Sequence, residues 1–210
     1  MRLEVVTEPF DHIIIHDVFD TQQLQHVWAE LDFLHPRLLR VGENGFAGGS
    51  AKDDAGNPLK SNKSLSLNDL YNYQNNISYI IQYLVNLFHS DEIVKLPTQD
   101  LENYYRLYTK ARTFYFHVQY YENDDGYKSH RDASIFTNTL FLFKEPKNFT
   151  GGDLVFDEYD YTIPCDANKM IVFPSVLNHA VTPIKMLDDT PMTGREGRGF
   201  KSLTRHQTAK

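Results

Sequence analysis

The stretch Thr113-Phe114-Tyr115-Phe116-His117-Val118-Gln119-Tyr120-Tyr121, interrupted by Glu122-Asn123-Asp124-Asp125-Gly126 and resumed as Tyr127-Lys128-Ser129-His130-Arg131-Asp132, decides the fold. Aromatic residues crowd the first segment and an acidic, glycine-ended turn follows, so one long strand turns into a second. From Arg112 onward the same rhythm repeats. Runs at Ile135–Phe143, Asp153–Phe156, Tyr161–Pro164, Met170–Phe173, Ala180–Ile184 and Phe200–His206 are separated by turn formers such as Lys144-Glu-Pro-Lys-Asn148 and Gly151-Gly152. Many short strands punctuated in this way predict a sandwich or jelly roll. Residues two apart on a strand face the same side, so His130 and Asp132 can grip one metal together.

Upstream the pattern changes. His12-Ile13-Ile14-Ile15 is a short apolar run, a buried strand. Asp20 or Thr21 then caps a helix whose Leu24, Val27, Trp28 and Leu31 share one face. Residues Gly42–Lys63 are polar and rich in turn formers. A loop of that length is usually functional or disordered, and this one has little apolar surface to bury, so mobility without substrate is expected. A second helix is predicted from Ser66 to His89, with Ile77, Ile80, Ile81, Leu84 and Phe88 on one face, and a third around Asp100–Tyr108. The chain is thus expected to be one domain over 1–210, with a helical front and first strand in 1–111 and a jelly-roll core in 112–206. Its fold class is mainly β with flanking helices.

Composition narrows the functional classes. Hydrophobic residues make up 41% of 210, and 14 Phe and 13 Tyr suit a strand-rich globular core. A net charge of −7 argues against a broad nucleic-acid footprint. The single Cys165 excludes an internal disulfide or a cysteine-based metal site and fits a reducing compartment. The opening MRLEVVTEPF is too acidic and too weakly apolar for a signal peptide, and no run reaches membrane-spanning length. A cytoplasmic protein is expected.

His179 lies far downstream, ahead of a further strand, and can complete a set of two histidines and one carboxylate. Such a set on one face of a metal, with the other positions open, is the pattern of non-haem Fe(II) oxygenases. A second His-x-Asp triplet, His89-Ser90-Asp91, ends an apolar helical pattern and reads as a solvated helix terminus. His26, on the first helix, reads as structural.

The stretch from Tyr121 to Asp132 resembles the Y-x(5)-Y-x-x-H-x-D segment of prolyl-4-hydroxylase-type Fe(II)/2-oxoglutarate dioxygenases. Gly151-Gly152-Asp153-Leu154 is similar to that family's G-G-x-L, and Met170-Ile171-Val172-Phe173-Pro174-Ser175 to the strand leading to its distal histidine. Asn178-His179-Ala180-Val181-Thr182-Pro183 resembles its H-x-V-x-P. These four elements stand in the family's order across residues 112–206.

The resemblance implies a double-stranded β-helix core and Fe(II) held by His130, Asp132 and His179. It also implies 2-oxoglutarate and O2 as co-substrates, ascorbate as reductant, and a peptide or small-molecule substrate. Chlorinating relatives replace the carboxylate with a small residue, so Asp132 favours hydroxylation. The far carboxylate of 2-oxoglutarate needs a cation, which relatives place two residues before a small or hydroxyl residue of the last strand. Here that slot holds Phe200, in Gly197-Arg198-Gly199-Phe200-Lys201-Ser202-Leu203-Thr204. Arg198 shares the parity of Ser202 and is the first candidate, while Lys201 needs a bulge at Gly199 to reach inward. Arg112 and Arg205 are further candidates. Tyr121 and Tyr127 match tyrosines near the co-substrate, with Tyr120 as the neighbouring alternative, and Ser202 can offer a hydroxyl. His117 reads as a satisfied interior histidine.

A rival from another class is a jelly-roll module that binds a metal or ligand without turnover. Such a module has no need of a cation such as Arg198 or Lys201 inside the barrel.

Overall fold

A computed structural model describes residues 1–94, 113–187 and 200–208, the last of these as backbone pairing. The expected helix at 100–108, and with it Arg112 and Arg198, lies outside the described residues. In chain order the strands are β1 (Arg2–Val6), β2 (His12–His16), β3 (Leu39–Arg40), β4 (Lys63–Ser66), β5 (Thr113–Tyr121), β6 (Tyr127–His130) and β7 (Phe136–Leu142). They continue as β8 (Phe149–Thr150), β9 (Leu154–Phe156), β10 (Tyr161–Ile163), β11 (Lys169–Pro174), β12 (His179–Val181), β13 (Lys185–Met186) and β14 (Phe200–Thr208). The helices are α1 (Thr21–Leu34), α2 (Leu67–Leu70), α3 (Tyr79–Phe88) and α4 (Asp91–Val94).

Eight strands form one sheet in the order β1-β2-β11-β7-β14-β5-β4-β3, and four form a second in the order β10-β9-β12-β6. Alternation along the central strands explains the layering. Ile13 and Ile15 of β2, Phe116 and Val118 of β5, and Met170 and Val172 of β11 pack with Val27, Leu31, Ile80, Ile81 and Leu84 of α1 and α3. Their neighbours Ile14, Tyr121, Ile171 and Phe173 turn the other way, onto Leu154, Phe156, Tyr127 and Val181 of the small sheet. Both faces of the large sheet are therefore covered, which is why its central strands read as unbroken apolar runs rather than alternating ones. Helices, large sheet and small sheet make three layers with a mainly β core, as expected.

Local chemistry accounts for the helix ends. Asp20, not Thr21, caps α1. Its carboxylate accepts the Gln23 N–H at 2.8 Å while the Gln23 side chain accepts the Asp20 N–H at 2.8 Å, a reciprocal capping box. The single helix expected over 66–89 is broken. Asn72 and Tyr73 adopt positive φ of 46° and 59°, and Ser78 then caps α3 by accepting the Ile81 N–H. Ile77 falls in the break and is exposed. An asparagine-rich run gives the backbone a turn that competes with helix even where the apolar spacing carries on.

The first 111 residues also contribute four strands of the large sheet, so front and back share one sheet rather than standing apart. Among the described residues no helix is long and apolar enough to cross a membrane. Cys165 is a free, fully buried thiol whose pKa burial raises to about 12.

Candidate active site

The small sheet brings two histidines face to face. β12 pairs antiparallel with β6, and His179 is the direct register partner of His130. The expected placement of Asp132 on the same strand as His130 is not met. β6 ends at His130, and Asp132 follows on an irregular segment anchored by its own N–H to the Ser175 carbonyl at 3.1 Å. The three side chains nevertheless converge. His130 Nε2 lies 3.5 Å from Asp132 Oδ1, His179 Nε2 lies 3.4 Å from Asp132 Oδ2, and one donor atom from each residue falls within 4.8 Å of the others.

The surroundings fix the state of each group. His130 Nδ1 is 2.8 Å from the Lys128 carbonyl, and His179 Nδ1 is 3.0 Å from the Leu177 carbonyl. A carbonyl only accepts, so each Nδ1 donates and Nε2 is the ring nitrogen left facing the centre. Tyr127 stacks on His130 at 3.6 Å with 16° between planes, and Phe173 meets His179 edge-on at 4.9 Å. Thr137, fully buried on β7, donates to Asp132 Oδ2 at 2.5 Å. Its oxygen lies 2.8 Å from the equally buried Ser175 hydroxyl, which is itself 2.7 Å from Ser134 Oγ. The three donor groups fit a divalent metal that takes nitrogen and oxygen ligands.

The group opens on a pocket between the sheets of about 450 Å³, its open mouth included. β5 contributes His117, Gln119 and Tyr121, β7 contributes Thr139, and β9 and β12 contribute Leu154 and Val181. Tyr121 and Tyr127 both line it. The Tyr121 hydroxyl donates to Gln119 Oε1 at 2.9 Å, while that of Tyr127 accepts the Ala51 N–H at 2.8 Å. Burial raises both phenols, that of Tyr127 to about 12, so each keeps its proton at neutral pH. His117, read from the sequence as a satisfied interior histidine, lines the pocket as well.

The last strand departs from expectation. β14 pairs with β5 in continuous register from Phe200↔Tyr121 to Thr208↔Thr113. Gly199, where a bulge was expected, lies outside the described residues. Lys201 is registered opposite Tyr120, which belongs to the helix-side core, whereas Phe200 and Ser202 are opposite the pocket-lining Tyr121 and Gln119. Arg205 is registered opposite the core residue Phe116.

The cation in the pocket comes from elsewhere. Lys60, in the Gly42–Lys63 segment, is 5% exposed and lines the same cavity as His130, Asp132 and His179. Nothing in the local sequence marks it, since a lysine in a polar loop reads as solvated. The segment itself is tied down rather than loose. Ala51 accepts from the Leu59 N–H, Leu59 accepts from the Lys128 N–H, and the Ser61 N–H donates to the Gly126 carbonyl, which binds the excursion to β6 and the turn before it. Backbone hydrogen bonds hold it where apolar burial does not.

The second triplet plays no part in the site. His89 ends α3, where its ring bonds the Val85 carbonyl, and Asp91 opens α4. His26 packs on Tyr79 in the helical layer.

Residues 116–188 match the family model of the 2OG-Fe(II) oxygenase superfamily. The matched segment contains His130, Asp132 and His179, and the cofactors of that superfamily are Fe(II), 2-oxoglutarate and O2. The fold of the chain is of the prolyl-4-hydroxylase type. A prolyl-4-hydroxylase from Pseudomonas putida superposes with a TM-score of 0.62 at 16% identity, over 95% of this chain and 92% of that one. A prolyl hydroxylase from Trichoplax adhaerens, solved with a hypoxia inducible factor peptide fragment, gives 0.61 at 13% identity, over 94% and 83%. The viral collagen prolyl hydroxylase of Paramecium Bursaria Chlorella virus-1, a 2OG complex, gives 0.53 at 12% identity, over 93% and 94%. No curated protein sequence matches the chain.

Proposed function

We propose that His130, Asp132 and His179 hold the Fe(II) and that the protein hydroxylates an amino-acid side chain, a prolyl residue in a peptide being the first candidate. The observation that carries this reading is the convergence of two imidazoles and one carboxylate on a pocket that opens between the sheets. Bound there with 2-oxoglutarate and O2, the iron supplies an oxidative decarboxylation that releases CO2, one oxygen atom entering succinate and the other a C–H bond of the substrate. The protein orients that chemistry. Lys128 and Leu177 carbonyls hold the imidazoles by Nδ1, Thr137 holds one carboxylate oxygen, and Tyr127 walls the pocket beside His130. A peptide substrate is supported by the Trichoplax relative in fold, whose structure includes one. The whole chain acts as a single catalytic domain in this reading, and the buried free thiol of Cys165 suits a cytoplasmic setting.

The test is a succinate-release screen over proline-containing peptides and free amino acids, with Fe(II), 2-oxoglutarate and ascorbate supplied. A substrate is expected to gain one oxygen atom by mass for each succinate formed. Succinate release that no peptide or amino acid stimulates would overturn the substrate class. Failure to bind Fe(II) and 2-oxoglutarate at all would favour the non-catalytic module.

The supporting shell gives a separate prediction. Thr137→Val keeps the side-chain shape but removes the donor to Asp132. Supporting hydrogen bonds of this kind are worth roughly 10–100-fold in metal affinity. Competition titration against a chelator is expected to show a loss in that range, with the fold retained. Unchanged affinity would mean that Thr137 only fills space.

A further inference from the structure

The structure holds a charged group that the reading so far leaves idle. Lys60 is buried, yet among the described residues it forms no ion pair. Its Nζ donates to the Gly48 carbonyl at 2.6 Å and lies 3.5 Å from Ser64 Oγ. An ammonium has three N–H donors, so one remains for a ligand in the cavity. The same Nζ sits 5.6 Å over the ring of Tyr127, and Tyr127 in turn stacks on His130. One aromatic ring thus separates the ammonium from the histidine.

Burying a lysine without a counter-ion is costly and is seldom tolerated unless an anion is to be bound. Burial lowers its pKa from 10.5 to about 8 even though the charge of Asp132 raises it. It therefore still carries its proton at pH 7. In the backbone register of the last strand Phe200 and Ser202 pair with Tyr121 and Gln119, and Lys201 pairs with Tyr120.

We propose that Lys60, delivered by the segment before β4 rather than by the last strand, binds the far carboxylate of 2-oxoglutarate. This rests on the dioxygenase reading above. An excursion pinned to β6 thereby replaces the cation that relatives place in the final strand, and Phe200 is free to be apolar.

The experiment is an anaerobic titration of the Fe(II)-loaded protein with 2-oxoglutarate, following the visible charge-transfer band of the chelated keto acid. A parallel titration uses 2-oxopentanoate, which has the same chain length and lacks the far carboxylate. Lys60→Met is expected to raise the half-saturating 2-oxoglutarate concentration roughly ten- to a hundredfold, the loss of one hydrogen bond to a charged group. It should leave 2-oxopentanoate and iron binding as in wild type, and Lys60→Arg should restore part of the preference. The Lys60→Met apoprotein is expected to melt no lower than wild type, because an apolar side chain replaces a buried ammonium. If Lys60→Met binds 2-oxoglutarate as tightly as wild type, or if Arg198→Ala shows the selective loss instead, the assignment to Lys60 is overturned. If folded wild type binds Fe(II) but gives no band with 2-oxoglutarate, the dioxygenase reading itself falls.

Discussion

Alanine at His130, Asp132 or His179 is expected to abolish 2-oxoglutarate turnover and to weaken iron binding by more than the 10–100-fold of a lost supporting contact. Each substitution removes a donor atom from a group whose members lie within 4.8 Å of one another. Asp132→Ala carries a second consequence, since Thr137 and the backbone anchor to Ser175 lose the carboxylate they position. Its loss of iron should therefore exceed that of Thr137→Val, which leaves the carboxylate in place. His89→Ala and Asp91→Ala serve as controls of the same chemistry in the wrong place, and both should load iron and turn over as wild type. Iron content by metal analysis, read beside succinate release, decides the matter. Full iron occupancy in all three ligand variants would remove the site from consideration.

Gly151→Ala is expected to be the most destabilising single methyl addition among the described glycines. Gly151 and Gly152 both adopt a φ of +77°, a region that costs a non-glycine residue roughly 1–2 kcal/mol. At Gly151 an added Cβ would also lie 2.0 Å from the Pro183 carbonyl oxygen and 2.9 Å from its carbon. These are backbone atoms, so no side chain can swing aside. Pro183 follows β12, whose first residue is His179, and the neighbouring Gly152 N–H bonds Thr182 at 3.1 Å. Backbone displacement there reaches the group of His130, Asp132 and His179. A loss above about 3 kcal/mol is expected, which for a chain of this size lowers Tm by roughly 10 °C. Gly45→Ala isolates the conformational part, since Gly45 has the same φ of +77° with nothing within 4 Å of its added Cβ. Equal melting temperatures for the two variants would show that the approach of Pro183 does not matter.

Much of the molecule was legible from local pattern. Strand runs at 113–121, 136–142, 169–174 and 200–208 were visible because long apolar, aromatic-rich segments between turn formers have few other ways to satisfy their backbone. The triad was legible because its three residue types carry their chemistry with them, and the flanking motifs set their order. The helix over 66–89 was misread for a local reason, as apolar spacing persisted through a break that Asn72 and Tyr73 impose. Asp132 was placed on a strand that stops at His130, since strand ends depend on which partner continues the ladder.

What the amino-acid order determined by itself was the long strands, the first helix and the donor set, because propensity, alternation and ligand chemistry are properties of neighbouring residues. Which cation stands in the pocket was decided only by tertiary structure. Lys201, close in sequence to the expected slot, is registered opposite Tyr120, while Lys60, in a loop that reads as solvated, is buried in the pocket that holds His130 and Asp132. Burial and charge environment are long-range quantities. They arise when β6 captures a loop distant from it in sequence through backbone hydrogen bonds, which carry no side-chain signal to be read in advance.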